Sequence, residues 1–184
     1  MNKQTSAEVC LFCYDKHMSK ELVSVVDEDD IVIATKARDD LTPKDIVRVS
    51  VLWIENSSGQ ILLQQRALTK KIGPGQWGPA VAGTVESHET YLSNIIKEAE
   101  EEINLTNVAP SEVGKRLYWE PNGHFGRMFM FYKTVIDRDI EAFTIKEDEV
   151  AQLRWVDRNF ILKDIEQNPR NYVPSAVFWR ETFY

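Results

Sequence analysis

Apolar and polar residues alternate from Ile46 to Ile54, with Ile46, Val47, Val49, Val51 and Trp53 apolar and Arg48 and Ser50 between them. A period of two puts such side chains on opposite faces of a strand. Asn56-Ser57-Ser58-Gly59 then reads as a turn, and Gln60 to Gln65 as the partner strand of a hairpin. Upstream, Leu22 to Val26 and Ile31 to Ala34 flank the acidic turn Asp27-Glu28-Asp29-Asp30, which predicts an N-terminal β-hairpin, followed by a loop from Thr35 to Lys44. Arg127 to Ile136 and Val150 to Val156 predict two further apolar strands.

The period changes at Leu92, Ile95, Ile96, Ala99 and Ile103, which recur at helical spacing. The pattern predicts a helix from His88 to Ile103, with Ser87 as N-cap and Asn104 in the left-handed closing position that glycine usually fills. Asp157 begins a short helix through Glu166, and Pro174 to Thr182 reads as a last helix with Val177, Phe178 and Trp179 inward. Lys70 to Gly83 holds Gly73, Pro74, Gly75, Gly78, Pro79 and Gly83, so it reads as a shaped loop with at most a short strand near Ala80 to Ala82. Strands and helices mix without a regular βαβ rhythm. The expected class is α/β (α+β), a mixed β-sheet sandwiched between α-helices, in a single domain over residues 1–184 with 1–19 as a flexible arm.

Composition narrows the partners. Hydrophobic residues make up 43% and charged residues 28%, an ordinary globular balance. No apolar run approaches the roughly 18 residues of a membrane span, and the start is polar, so the cytoplasm is the expected compartment and no membrane contact is expected. The net charge of -7 repels a phosphate backbone in bulk, which argues against nucleic-acid coating and leaves a phosphorylated small molecule open if local cations meet it. Cys10 and Cys13 with His17 fall one ligand short of a zinc site. A homodimer is compatible with this surface.

The charge that matters is local. On the helix from His88 to Ile103, Glu98 and Glu102 stand one turn apart on one face with Glu101 beside them. Like charges at this spacing cost about 0.2–0.5 kcal/mol, and carboxylates in a last turn oppose the helix dipole by roughly 0.3–1 kcal/mol more. Both terms argue for a cation there, and hard ions such as Mg²⁺ or Mn²⁺ prefer these oxygen ligands.

Outward from this cluster the order is Gly83, five residues, Glu89, seven residues, then Lys97-Glu98-Ala99-Glu100-Glu101-Glu102-Ile103-Asn104-Leu105. This resembles the Nudix box, in which Lys97 replaces the usual arginine and Asn104 the usual glycine. The resemblance implies a Nudix fold and hydrolysis of a diphosphate linkage in a nucleoside diphosphate derivative or another organic diphosphate, with Mg²⁺ or Mn²⁺ as cofactor. It implies Glu98 and Glu102 as main metal ligands with Glu101 close by, joined by the backbone carbonyl of Ala82. Glu89 would brace Lys97 and orient the cluster. The base that takes the proton of the attacking water varies in this family: here it is Glu98 in the box, or Glu147 or Glu149 in the later loop. The two departures, Lys97 and Asn104, keep a non-catalytic ligand-binding Nudix domain as the alternative.

Leu62-Leu63-Gln64-Gln65-Arg66-Ala67-Leu68-Thr69-Lys70-Lys71 with Pro74-Gly75-Gln76-Trp77 is more specific. It resembles the isopentenyl diphosphate isomerase branch of the superfamily, and so implies a diphosphate grip by Arg66 and Lys70. That branch needs a cysteine directly before the box glycine, a histidine just after it, and a histidine-rich metal site. This chain has Ala82 and Thr84 there, and its histidines are His17, His88 and His124. Isomerisation is therefore not expected. Among the tryptophans Trp53, Trp77, Trp119, Trp155 and Trp179, Trp119 is the expected substrate contact from a loop, with His124 and Arg127 nearby as lesser candidates.

Overall fold

The computed structural model describes residues 21–119 and 125–184. Cys10, Cys13, His17 and His124, together with the arm expected at 1–19, lie outside the described residues.

The predicted hairpin at the start forms as β1 (Leu22–Val26) and β2 (Val32–Ala37), antiparallel. The long alternating segment is β3 (Ile46–Glu55), and it is the centre of the sheet. It pairs with β1 at its start, with β6 (Val81–Thr84) over its middle, and in parallel with β8 (Gly126–Val135) along its whole length. β7 (Ser111–Trp119) adds an edge to β8.

The expected hairpin of Gln60 to Gln65 on β3 needs correction. Strand β4 (Gln60–Arg66) meets β3 only at Glu55 and Ile61 beside the turn. It then diverges to pair with β5 (Trp77–Pro79) on one side and β9 (Val150–Asp157) on the other. Neighbours with longer complementary registers outcompete the local partner, so the sheet splits between β3 and β4. A cleft opens in that split.

Helix α1 (Tyr91–Ile103) is shorter at its start than predicted. Its N-cap is Thr90, whose side chain accepts from the Ser93 amide in a reciprocal capping box. Ser87, expected as the N-cap, lies three residues earlier, where its amide bonds the Leu22 carbonyl and ties the segment to β1. Leu92 and Ile96 face solvent, while Tyr91, Ile95, Ala99 and Ile103 pack on Leu52, Ile54, Leu62, Val81 and Met130. Asn104 closes the helix at φ 52° as expected. On the opposite face of the sheet, α2 (Arg158–Gln167) and the short α3 (Trp179–Phe183) bury Ile161 and Trp179 against Trp53, Ile61 and Leu63.

Other expectations shift at their edges. The 70–83 segment yields two short strands, not one. The final predicted helix is a 3₁₀ turn, Pro174–Phe178, running into α3, and Val177 points outward. Trp119, expected in a loop, ends β7, whose half-exposed edge pattern lacks clean alternation. Among the described residues no helix is long and apolar enough to cross a membrane.

Candidate active site

The cleft has a volume of about 800 Å³. Its floor comes from Val49 and Val51 on β3, Ala82 and Thr84 on β6, and Phe129 on β8. Gln64 and Arg66 enter from β4, and Lys97, Glu98, Glu101 and Glu102 from α1. The turn before β9 adds Lys146, Asp148 and Glu149, and Lys70 comes from the β4–β5 loop. Glu98, Glu101, Glu102, Glu149, Arg66, Lys70 and Ala82 therefore share one cavity, though they come from distant parts of the chain.

Glu102 is 7% exposed. Burial, then the nearby Glu98 and Glu149 carboxylates, push its carboxyl up to about 8, against weaker help from Gln64 and Arg66. Burial also pushes Glu98 up to about 7; Lys97 pulls the other way, while Glu101 and Glu89 add repulsion. Gln64 donates to Glu102 Oε2 at 3.3 Å, but its own Oε1 is buried without a hydrogen-bond partner. Glu101 is exposed at the cleft wall.

Gly83 explains how Glu98 reaches its place. A Cβ there would lie 2.5 Å from the Glu98 carboxyl group. The missing side chain lets the carboxylate lie directly against β6.

A second layer fixes α1 against the strand. Lys97 Nζ bonds Glu89 Oε1 at 2.7 Å and Glu86 Oε1 at 3.0 Å. Glu89 Oε2 accepts from the Glu86 amide at 3.0 Å and from Asn94 at 2.8 Å. These bonds outweigh burial and hold the Glu89 carboxyl below its ordinary range, and they hold the Lys97 ammonium above its own. Two point bonds from lysine thus fill the place of an arginine fork. Asn94, fully buried, also approaches Glu98 Oε1 at 3.4 Å, bonds the Thr84 carbonyl at 3.2 Å and accepts from Ser50. Sequence reasoning missed Asn94, Glu86 and Gln64. Asn94 left one signal, a polar residue one turn before Glu98 on the same helix face.

The donor set fits a hard divalent cation. It is all oxygen: the buried Glu102 and half-buried Glu98 carboxylates, which repel each other, a third at the wall, and the Ala82 residue of β6 beside them. Among the described residues no three acidic, histidine or cysteine groups converge as a ready ligand cage. Two carboxylates suffice for an ion such as Mg²⁺, which keeps several waters and takes substrate oxygens. On the opposite wall Arg66 is half-buried, its Nε bonding the Ile72 carbonyl at 2.9 Å. Burial lowers the Arg66 guanidinium from its ordinary value while Glu102 and Glu149 support it. Lys70 is ion-paired with Glu149.

Other candidates fall outside this role. Trp53 and Trp179 are core, Trp155 donates to the Arg138 carbonyl at 3.0 Å, and the Arg154 guanidinium sits over Trp77 at 4.4 Å. Trp119 is 43% exposed at the end of β7, outside the cleft lining. Arg127 does line the cleft, its guanidinium 5.4 Å from the Phe125 ring centre.

The NUDIX domain model matches residues 44–176. The Nudix hydrolase PA4841 of Pseudomonas aeruginosa is 25% identical over 158 residues, 85% of this chain and 89% of that protein. YfcD of Escherichia coli K12, also named a Nudix hydrolase, is 26% identical over 163 residues, 88% of this chain and 87% of its own. An isopentenyl-diphosphate Delta-isomerase of Escherichia coli is 29% identical over 128 residues, 68% of this chain and 69% of that enzyme. In three dimensions the DR0079 protein of Deinococcus radiodurans matches with a TM-score of 0.76 at 22% identity, over 89% of this chain and 100% of that one.

Proposed function

The chain belongs to the NUDIX domain family, as a Nudix hydrolase acting on phosphorus-containing anhydrides, and from that premise we propose a reaction dependent on Mg²⁺ or Mn²⁺ held by Glu98 and Glu102. The substrate is a nucleoside diphosphate derivative or another organic diphosphate. One observation carries this reading: the buried Glu102 and the half-buried Glu98, one turn apart on α1, lie in one cleft with Arg66 and Lys70. Burying such a pair without a counter-cation is costly.

Arg66 and Lys70 bind the diphosphate, the arginine by its planar fork and the lysine as a point charge. Glu98 and Glu102 would hold the divalent ion, with Glu101 at the wall and the Ala82 carbonyl available beside them. Glu89 and Lys97 keep the helix carrying them in register with β6. The bound ion supplies charge neutralisation at the phosphoryl oxygens and an acidified water. Glu149, a close electrostatic neighbour of Glu102, would serve as the base for the attacking water.

The ligand-binding alternative rested on Lys97 and Asn104. Lys97 bridges two carboxylates and Asn104 holds the left-handed turn, so both replacements retain the local job. The isomerase relative supports a diphosphate grip. Its proton-transfer chemistry is not carried over, because Ala82 and Thr84 occupy the reacting positions. The deciding experiment is a panel of organic diphosphates with Mg²⁺ or Mn²⁺, reading phosphate or nucleotide release, with isopentenyl diphosphate included. Metal-dependent release that vanishes in Glu102→Gln is expected. Binding without release across the panel would favour the non-catalytic reading, and isomerisation without hydrolysis the isomerase.

A further inference from the structure

Lys70 and Glu149 are 79 positions apart in sequence, yet their side chains form an ion pair at the cleft wall. One belongs to the diphosphate grip and the other is the proposed base. We infer that this pair is an internal latch: Lys70 occupies Glu149 in the substrate-free enzyme, and an arriving diphosphate draws Lys70 away and releases Glu149 toward Glu98 and Glu102. Diphosphate and divalent cation then bind cooperatively. The inference rests on the roles given above to Lys70, Glu98 and Glu102.

The backbone around the latch is fixed, so the movable parts are the two side chains. The Glu149 carbonyl accepts from the Ala67 amide at 2.9 Å, and Thr69 Oγ1 donates to the Asp148 carbonyl at 3.3 Å. The same turn is tied to α1, because the Lys146 amide bonds the Glu102 carbonyl at 2.9 Å. Glu149 N and Val150 N both donate to the Lys146 carbonyl, at 2.9 and 2.8 Å. Glu149 is therefore mounted beside the end of the glutamate helix, and its charge already raises the Glu102 carboxyl.

Energetics favours exchange. Each side chain is 28% exposed, and ion pairs this open contribute about 0–1 kcal/mol. A hydrogen bond to a charged group contributes about 1.5–3 kcal/mol, and a diphosphate presents more than one negative charge. Lys70 leaves its partner for the ligand. The freed Glu149 brings an uncompensated negative charge beside Glu98 and Glu102, which strengthens cation binding. By linkage, the cation strengthens diphosphate binding by the same factor.

The test measures Mn²⁺ affinity of the substrate-free protein by electron paramagnetic resonance. The set comprises wild type, Lys70→Met, Glu149→Gln, the double variant, Lys70→Arg and Glu102→Gln. Lys70→Met is expected to tighten Mn²⁺ about tenfold, because Glu149 is released. Glu149→Gln alone should change little, and the double variant should lose the gain. Lys70→Arg should retain wild-type affinity, since a cation still holds Glu149. Methylenediphosphonate should tighten Mn²⁺ in wild type and fail to do so in Glu149→Gln. A gain that persists in the double variant means simple removal of a positive charge and overturns the latch. So does an unchanged or weaker Mn²⁺ affinity in Lys70→Met. If Glu102→Gln abolishes Mn²⁺ binding while Lys70→Met has no effect, the latch fails and the metal site stands. If no variant binds Mn²⁺, both fail.

Discussion

Two buried carboxylates, Asp30 and Glu102, differ in what surrounds them. Asp30, 8% exposed, closes the β1–β2 turn at φ 65°. It accepts from Arg48 Nε at 2.7 Å, from Tyr91 Oη at 3.0 Å and from Lys115. Arg48 and Lys115 also lie over the Tyr91 ring, at 5.4 and 5.3 Å from its centre. Burial pushes the Asp30 carboxyl up, but bonds from Lys115, Arg48 and Tyr91 outweigh it and hold it below its ordinary range. Glu102 is buried to a similar degree but receives one amide bond, from Gln64, and two carboxylate neighbours. Burial therefore does not mark a functional acid. The missing counter-charge does: Asp30 is complete within the chain, and the glutamate pair is complete only with a cation from outside.

The comparison can be broken at either end. The largest effect is expected at Glu102. Glu102→Gln should lower kcat with Mg²⁺ by about 10³-fold, the several kcal/mol a metal supplies in the transition state. The same variant should be more stable than wild type in EDTA, because a repelled buried charge is gone. Urea unfolding with and without metal reads this, and a less stable variant in EDTA would show that Glu102 is a structural acid like Asp30.

Asp30→Ala should do the reverse. Removing one partner of a buried ion pair costs about 3–5 kcal/mol, so the urea midpoint should fall sharply while kcat per folded molecule holds. Loss of kcat without loss of stability would make Asp30 part of the site. Gly83→Ala lies between the two. Its Cβ would displace the Glu98 side chain, a flexible neighbour, so the fold should survive while kcat falls about 10²-fold, the scale of losing a well-placed group.

The smallest effect is a difference in pH dependence. Glu98 and Glu102 have folded values raised to about 7 and 8 above an unfolded value of 4.5. Their contribution is fully present below about pH 4.5 and is lost as pH rises through 7 to 8. Asp30, lowered from 3.8, contributes above that pH and loses its contribution as pH falls through its folded value. The metal-free protein should therefore weaken between about pH 5 and 8, and saturating Mg²⁺ or the Glu98→Gln/Glu102→Gln double variant should flatten that slope. A slope that survives the double variant would place the responsible group elsewhere.

Much of this was legible in the chain. The helical period placed Glu98 and Glu102 on one face because neighbours at i and i+4 share a face whatever the fold. The spacing from Gly83 to Leu105 carried the family, and Asn104 the end of the helix. Misreadings had long-range causes. Ser87 has a cap's chemistry, but its segment is held against β1 through the Leu22 carbonyl and the helix begins only after Thr90. β7 escaped because an edge strand buries neither face cleanly.

The sequence by itself determined which carboxylates stand together, since helical geometry is set by residues a turn apart. It could not determine which buried acids are neutralised. Asp30 sits in a run of four acidic residues that reads as a hairpin turn, and only the fold brings Arg48, Tyr91 and Lys115 to it. The divergence of β4 from β3, the cleft it opens and the pairing of Lys70 with Glu149 are likewise decisions of tertiary structure. Counter-charge and burial depend on groups brought together from distant positions, and no local pattern encodes them.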